Sequence, residues 1–238
     1  MFRSAISRPL AWTFISFALL LLWDATGFDM ALAGMAGTSI GFPLRSHWFL
    51  VQVLHEGAKL LSWVMVIALL ASIRWPVGFM RALAVRERVQ FAASVLASVM
   101  AVSLVKYASH TSCPWDLQAF GGVARHVSHW LWATSDGGPG GCFPAGHASA
   151  AFAYLGGYFA CRRTQPSVAR AWLVGSLAAG LVLGVSQQLR GAHYMSHTLW
   201  TGWICWAVGF AIDALSRRFA THRAARPASG AAPEPNQS

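Results

Sequence analysis

Six long apolar stretches, separated by short polar segments, organise this chain. They run approximately over residues 9–28, 48–73, 89–106, 147–161, 171–189 and 197–216. A helix needs about 20 apolar residues to cross a hydrocarbon core of about 30 Å. Five stretches approach or exceed that length, and the fourth reaches it only with help from its flank at 144–147. None alternates strictly between apolar and polar positions, which argues against strands. The pattern predicts an all-α polytopic membrane protein, six transmembrane helices in a bundle over residues 1–220, followed by a disordered cytoplasmic tail over 221–238.

Composition supports this expectation. The chain has 238 residues, 55% hydrophobic and only 11% charged, where soluble domains carry about 25% charged residues. The tail has little to bury, with Pro227, Pro233 and Pro235 among small polar residues. A net charge of +10 raises the question of nucleic acid, but the basic residues lie between apolar stretches and form no patch with interleaved aromatics.

Charge also orients the bundle, because Lys and Arg favour the cytoplasmic side. Arg3, Arg8, Arg74, Arg81, Arg86, Arg88, Arg162, Arg163, Arg170, Arg217, Arg218, Arg223 and Arg226 fall on one set of segments. Only Arg45, Lys106, Arg125 and Arg190 fall on the other, with Lys59 inside the second span. Both termini are therefore expected in the cytoplasm. Ala31-Leu32-Ala33 has a small-x-small pattern that a signal peptidase could cleave, although it lies well past the apolar run ending at Trp23.

This orientation collects the candidate chemistry on the outer face. Lys106 ends the third span there, His147 begins the fourth, and Arg190 and His193 lie between the fifth and sixth. Ionisable residues at membrane depth are costly and usually functional.

Three motifs in this region resemble those of the type 2 phosphatidic acid phosphatase superfamily, whose patterns are Lys-x6-Arg-Pro, Pro-Ser-Gly-His and Ser-Arg-x5-His-x3-Asp. Lys106 is followed after six residues by Cys113-Pro114. Pro144-Ala145-Gly146-His147 follows, and then Ser186-Gln187, His193 and His197 at the family's spacing. The resemblance covers about residues 89–216. Cys113, Ala145, Gln187 and His197 stand where the family has Arg, Ser, Arg and Asp.

The resemblance implies a lipid phosphate or diphosphate substrate and hydrolysis at the periplasmic face of a bacterial-type inner membrane, with no cofactor and no metal. His193 would attack phosphorus to give a phosphohistidine. His147 would protonate the leaving oxygen. Lys106 and the backbone at Gly146 would hold the phosphoryl oxygens. Arg190, three residues before His193, would supply the missing guanidinium if both lie on one helical face. His197 and Asp116 are candidate supports for His193.

Cys113 and Cys142 both fall in the outer loop, where thiols are oxidised. A bridge between them would close a loop of about 30 residues and stabilise by ~3–4 kcal/mol in the chain-entropy model. Cys161 and Cys205 read as small buried hydrophobes.

Other readings compete at several positions. His193 and His197 are four residues apart, as in helical metal pairs, and His126 and His129 could add ligands, but Tyr194 occupies the position where a zincin has Glu. His55, Glu56 and Lys59 form a polar cluster in the second span, read as mutual pairing, with substrate contact as the alternative. Trp115, Trp130, Trp132 and Trp200 fit an interfacial aromatic belt. Residues 137–141, glycine around Pro139, read as a connector. A phosphotransferase with the same phosphohistidine, or a non-catalytic lipid-binding or transport protein in which Gly156, Gly157, Gly180 and Gly184 serve only helix packing, would also fit.

Overall fold

The computed structural model describes residues 2–224. The expected tail therefore lies, from residue 225 onward, outside the described residues. The described chain is helical, and the only strand-like pairings are two isolated bridges, Thr38 with Gly41 and Leu117 with Ala124.

Helix α1 (Phe2–Thr26) turns at Gly27, φ 70°, into the short α2 (Phe28–Ala36). The Ala31–Ala33 segment lies within α2, where Ala33 is buried. A π-helical segment, Phe49–Gly57, leads directly into α3 (Ala58–Arg74). Helix α4 (Val85–Ala108) begins where the Glu87 carboxylate accepts the Ala84 N–H at 2.9 Å. Residues 109–145 make a long excursion after α4 with 3₁₀ turns at Pro114–Asp116 and Gln118–Phe120. Helix α7 (Pro166–Leu189) starts on a proline whose missing N–H no intrahelical bond requires. Helix α8 (Met195–Ala224) closes the bundle against α4, α1 and α7.

Five helical stretches are long and apolar enough to cross a membrane: Arg8–Thr26, Phe49–Ala82, Val85–Ala108, Pro166–Leu189 and Met195–Phe219. Leu19, Leu22, Ile67, Leu104 and Val174 are at least 60% exposed on these stretches. Such apolar exposure along whole helices fits contact with lipid.

The fourth predicted span differs from expectation. Residues 146–161 are helical but divided: Gly146–Ala148 and Ala153–Leu155 are 3₁₀, around α5 (Ser149–Phe152) and α6 (Gly156–Cys161). At 1.5 Å per residue the segment is about 24 Å long, short for a lipid-facing span. The physical reason is its position. Phe152, Leu155, Phe159, Ala160 and Cys161 are all at most 2% exposed, so the segment is enclosed by the other helices. Small residues permit the enclosure. A Cβ on Gly180 would stand 2.4 Å from the Phe152 ring, and one on Gly157 2.7 Å from Trp172.

The basic end of the bundle is closed by Asp213. Fully buried, its carboxylate accepts from Arg162 and Arg163 at 2.7 Å each and from Gln90 at 3.1 Å, and it forms an ion pair with Arg217 at 3.1 Å. The opposite end is tied by two further aspartates. Asp24 accepts from the Trp130 and Trp200 indoles at 3.0 and 2.9 Å. Asp29 accepts the Ser196 N–H at 3.0 Å, capping α8, and bonds the Ser196 hydroxyl as well. Trp130 and Trp200 thus anchor α1 to the 109–145 excursion and α8, which is more than belt membership.

Candidate active site

The segments bearing Lys106, His147 and His193 converge at the end of the bundle opposite Asp213. Lys106 is on the last turn of α4, half-buried, and makes no ion pair among the described residues. Its stem passes over Gly146: a Cβ there would sit 3.5 Å from Lys106 Cδ and 3.8 Å from Cε. Lys106 also lines an open cleft of about 510 Å³ formed with Ser109, His110 and the glycines at 138, 140 and 141. The glycine-rich connector is therefore one wall of the space in front of the lysine.

His147 lies in the 3₁₀ turn that opens the enclosed helical segment. His193 lies in the turn between α7 and α8 and is only 4% exposed. Gly191, φ 74°, ends α7 and releases the chain into this turn, and a Cβ there would meet the Phe42 ring at 2.4 Å. His193 is within electrostatic reach of Lys106, His147 and His55. Burial, with these cationic and titratable neighbours, holds its imidazole well below the ordinary histidine range, so it is neutral at physiological pH.

Cys113 and Cys142 are joined by a disulfide, with Cα atoms 5.1 Å apart. The bridge ties the loop after Lys106 to the segment before His147. It also contacts the third motif, because His193 Nδ1 is 3.5 Å from Cys142 Sγ. With the proton on Nδ1, the Nε2 lone pair would be free, the tautomer that a histidine nucleophile needs.

The family's Asp position works differently here. His197 Nδ1 bonds the Cys142 carbonyl at 3.1 Å, and its ring centroid is 5.9 Å from that of His193. Both histidines therefore converge on Cys142, and neither is placed to orient the other directly. Asp116 bonds within its own turn, to the Cys113 backbone and Trp115, and its nearest charges are Arg45 and Asp136. Burial raises its pKa.

Arg190 reaches the site by another route than a shared helical face. It caps α7, and α8 does not begin until Met195, so His193 is on no helix. The guanidinium is fixed by Gln187 Oε1 (2.9 Å from Nη1) and the Arg45 carbonyl (2.9 Å from Nε). Gln187, in the family's Arg position, thus holds Arg190, which is in electrostatic reach of His147 and His55.

His55 stands beyond the three motifs in sequence. The structure stacks its imidazole on that of His147, centroids 3.5 Å apart and planes 30° from parallel. Its Nδ1 is 2.9 Å from Glu56 Oε1, and Lys59 is 3.6 Å from the same carboxylate. The polar cluster does pair internally, and it also extends the site. The signal was there in sequence, three polar residues in an apolar stretch, but the π-helical turn and the long-range stacking were not. π-helical turns are rare and favour functional sites.

The four histidines of the metal reading lie near one another, with His129 and His193 5.6 and 5.9 Å from His197 between ring centroids, but they do not form a tight ligand cluster among the described residues. His129 is stacked on Phe143 and faces Asp24, and His126 lies edge-on to Tyr194. Among the described residues, the cluster with ligand atoms closest together is instead Cys113, Cys142 and His193.

Residues 88–219 match the PAP2 superfamily. The chain belongs to the PAP2 superfamily. No curated protein and no solved structure gives a significant match. Membership and five apolar membrane-length helices fit a membrane phosphatase.

Proposed function

We propose that this PAP2 protein hydrolyses a lipid phosphate or diphosphate at the periplasmic face of an inner membrane, through a phosphohistidine on His193. The observation that carries the reading is the convergence of Lys106, His147 and His193 at one end of the bundle, the end poor in Lys and Arg. Residues 146–161 form the sixth crossing in this reading, sheltered from lipid by the other five.

His193, neutral and with Nδ1 turned to Cys142, attacks phosphorus through Nε2. The P–O bond to the lipid breaks, and His147 gives its proton to the departing oxygen. Lys106 and Arg190 neutralise the equatorial oxygens, where charge accumulates. His147 then takes a proton from water, which attacks phosphorus and releases phosphate and free His193. His55, held by Glu56, keeps the His147 ring in place. The site lies at the ends of α4 and α7, so a hydrocarbon tail stays in the bilayer during reaction.

Phosphate release from a panel of lipid phosphates and diphosphates, in detergent or vesicles, tests the reading with wild type and His193→Ala. Release by the wild type and none by the variant supports it. Transfer of label to an acceptor without free phosphate identifies a phosphotransferase, and no turnover by the wild type on any member of the panel rejects the enzyme.

A further inference from the structure

The disulfide beside His193 is also two-thirds of a metal site. Cys113 Sγ, Cys142 Sγ and His193 Nδ1 all lie within 4.8 Å of one another. Zinc binds thiolate at about 2.3 Å and imidazole at about 2.0–2.1 Å in tetrahedral geometry, which places a sulfur and a nitrogen ligand about 3.5 Å apart. Cys142 Sγ and His193 Nδ1 are separated by 3.5 Å. One edge of a zinc tetrahedron is therefore already present. The second sulfur is held too close by its bond to the first, and the backbone does not prevent separation, since the Cα atoms are 5.1 Å apart.

We propose that reduction of Cys113–Cys142 converts this bridge into a Cys₂His site for a thiophilic divalent cation such as Zn²⁺, and that the metal switches His193 off. The oxidised chain cannot hold the ion there, because a disulfide sulfur carries no thiolate charge. Cys113 is partly exposed whereas Cys142 is buried, so a dithiol reductant attacks at Cys113. The S–S bond breaks, its electron pair leaves on Cys142, and a mixed disulfide forms with the reductant. The reductant's second thiol resolves it, giving two cysteine thiols and an oxidised reductant. Zn²⁺ then displaces one proton from each thiol and takes the Nδ1 lone pair of His193, leaving a fourth position for water.

The consequence for His193 follows from its two nitrogens. A neutral imidazole carries one proton. With Nδ1 bound to metal, that proton is on Nε2, and the lone pair that would attack phosphorus is gone. The metal site stands on geometry alone, and only its effect on turnover rests on the proposed function.

The test uses the full chain in detergent micelles, stripped of metal and divided into oxidised and phosphine-reduced samples. Both are titrated with Zn²⁺ against a chromogenic chelator, and with Cd²⁺ to follow thiolate-to-metal charge transfer. One Zn²⁺ per reduced chain is expected, bound about a hundredfold or more tighter than by the oxidised chain, with His193→Ala weakening it about tenfold or more. Equal affinity in the two redox states overturns the proposal, and so does unchanged affinity in the reduced His193→Ala chain. Near-UV circular dichroism of the reduced sample is recorded alongside, and loss of the native signal on reduction also overturns it, since the ligands then no longer meet. Where a phosphatase substrate is in hand, Zn²⁺ should inhibit the reduced chain and spare the oxidised one, with chelator restoring turnover before reoxidation. Absence of phosphatase activity would defeat the proposed function and leave the binding result standing.

Discussion

The imidazoles of His55 and His147 are stacked with centroids 3.5 Å apart, although 92 positions separate them in the chain. Stacking fixes the plane of His147, and the Glu56 carboxylate 2.9 Å from His55 Nδ1 fixes the plane of His55. A general acid contributes about 10²–10⁴ in rate, and about 1 Å of misplacement can cost about 10². His55→Ala should therefore lower kcat by about tenfold or more with a smaller change in KM. His55→Phe, which keeps a stacking face, should recover part of the loss, and Glu56→Gln should show a milder version of it. Equal kcat for His55→Ala and wild type would remove His55 from the catalytic group.

The burial of His193 sets a pH dependence. Its folded pKa lies well below the ordinary 6.5, so the imidazole stays neutral in the fold as pH falls through 6.5. Phosphoenzyme formation, followed by rapid-quench trapping, should therefore show no loss through His193 protonation there and should fail only at lower pH. A half-point at or above 6.5 in the His193-dependent step would contradict this. Stability moves the other way. Unfolded chains take up a proton on this residue near pH 6.5 and folded ones do not, so its contribution to stability falls as pH drops through that value.

Much of the fold was legible because it depends on local pattern. Apolar runs longer than a hydrocarbon core identify spans wherever they occur, and five were found as helices of membrane length. The segment at 146–161 was harder, since enclosure by other helices relaxes the length that lipid contact demands, and its mixture of 3₁₀ and α turns has no sequence period of its own. At the site, Lys106, His147 and His193 were legible from motif order and spacing. His55 was not, because nothing near it in sequence says that it will face His147. Arg190 was expected on a helical face with His193. Gly191 ends the helix first, and Gln187 and the Arg45 carbonyl hold the guanidinium instead.

That clamp yields a second kinetic prediction. Arg190→Ala should raise KM for a lipid phosphate about tenfold and lower kcat as well, because an oxyanion donor serves ground and transition states. Arg190→Lys should rescue little, since a single ammonium cannot satisfy Gln187 and Arg45 from Nη1 and Nε and still face the phosphate. Gln187→Ala should act in the same direction but more weakly, by freeing Arg190 without removing its charge. Steady-state kinetics on the three variants decides, and unchanged parameters for Arg190→Ala would exclude it from phosphate binding.

Asp213 separates stability from chemistry. It is fully buried at the end of the bundle away from the histidines, with Arg162 and Arg217 only 11% and 12% exposed around it. Removing one partner of a buried ion network strands the others and typically costs about 3–5 kcal/mol. Asp213→Ala should therefore lower the thermal midpoint in detergent sharply. Asp213→Asn, which can still accept from Gln90 and the arginines, should lose less. Because no catalytic group touches Asp213, the fraction of either variant that remains folded should turn over at the wild-type rate, measured per folded molecule below the midpoint. A fall in that rate with the thermal midpoint unchanged would mean that the basic end of the bundle communicates with the histidines through α8, the one helix that carries both Asp213 and His197.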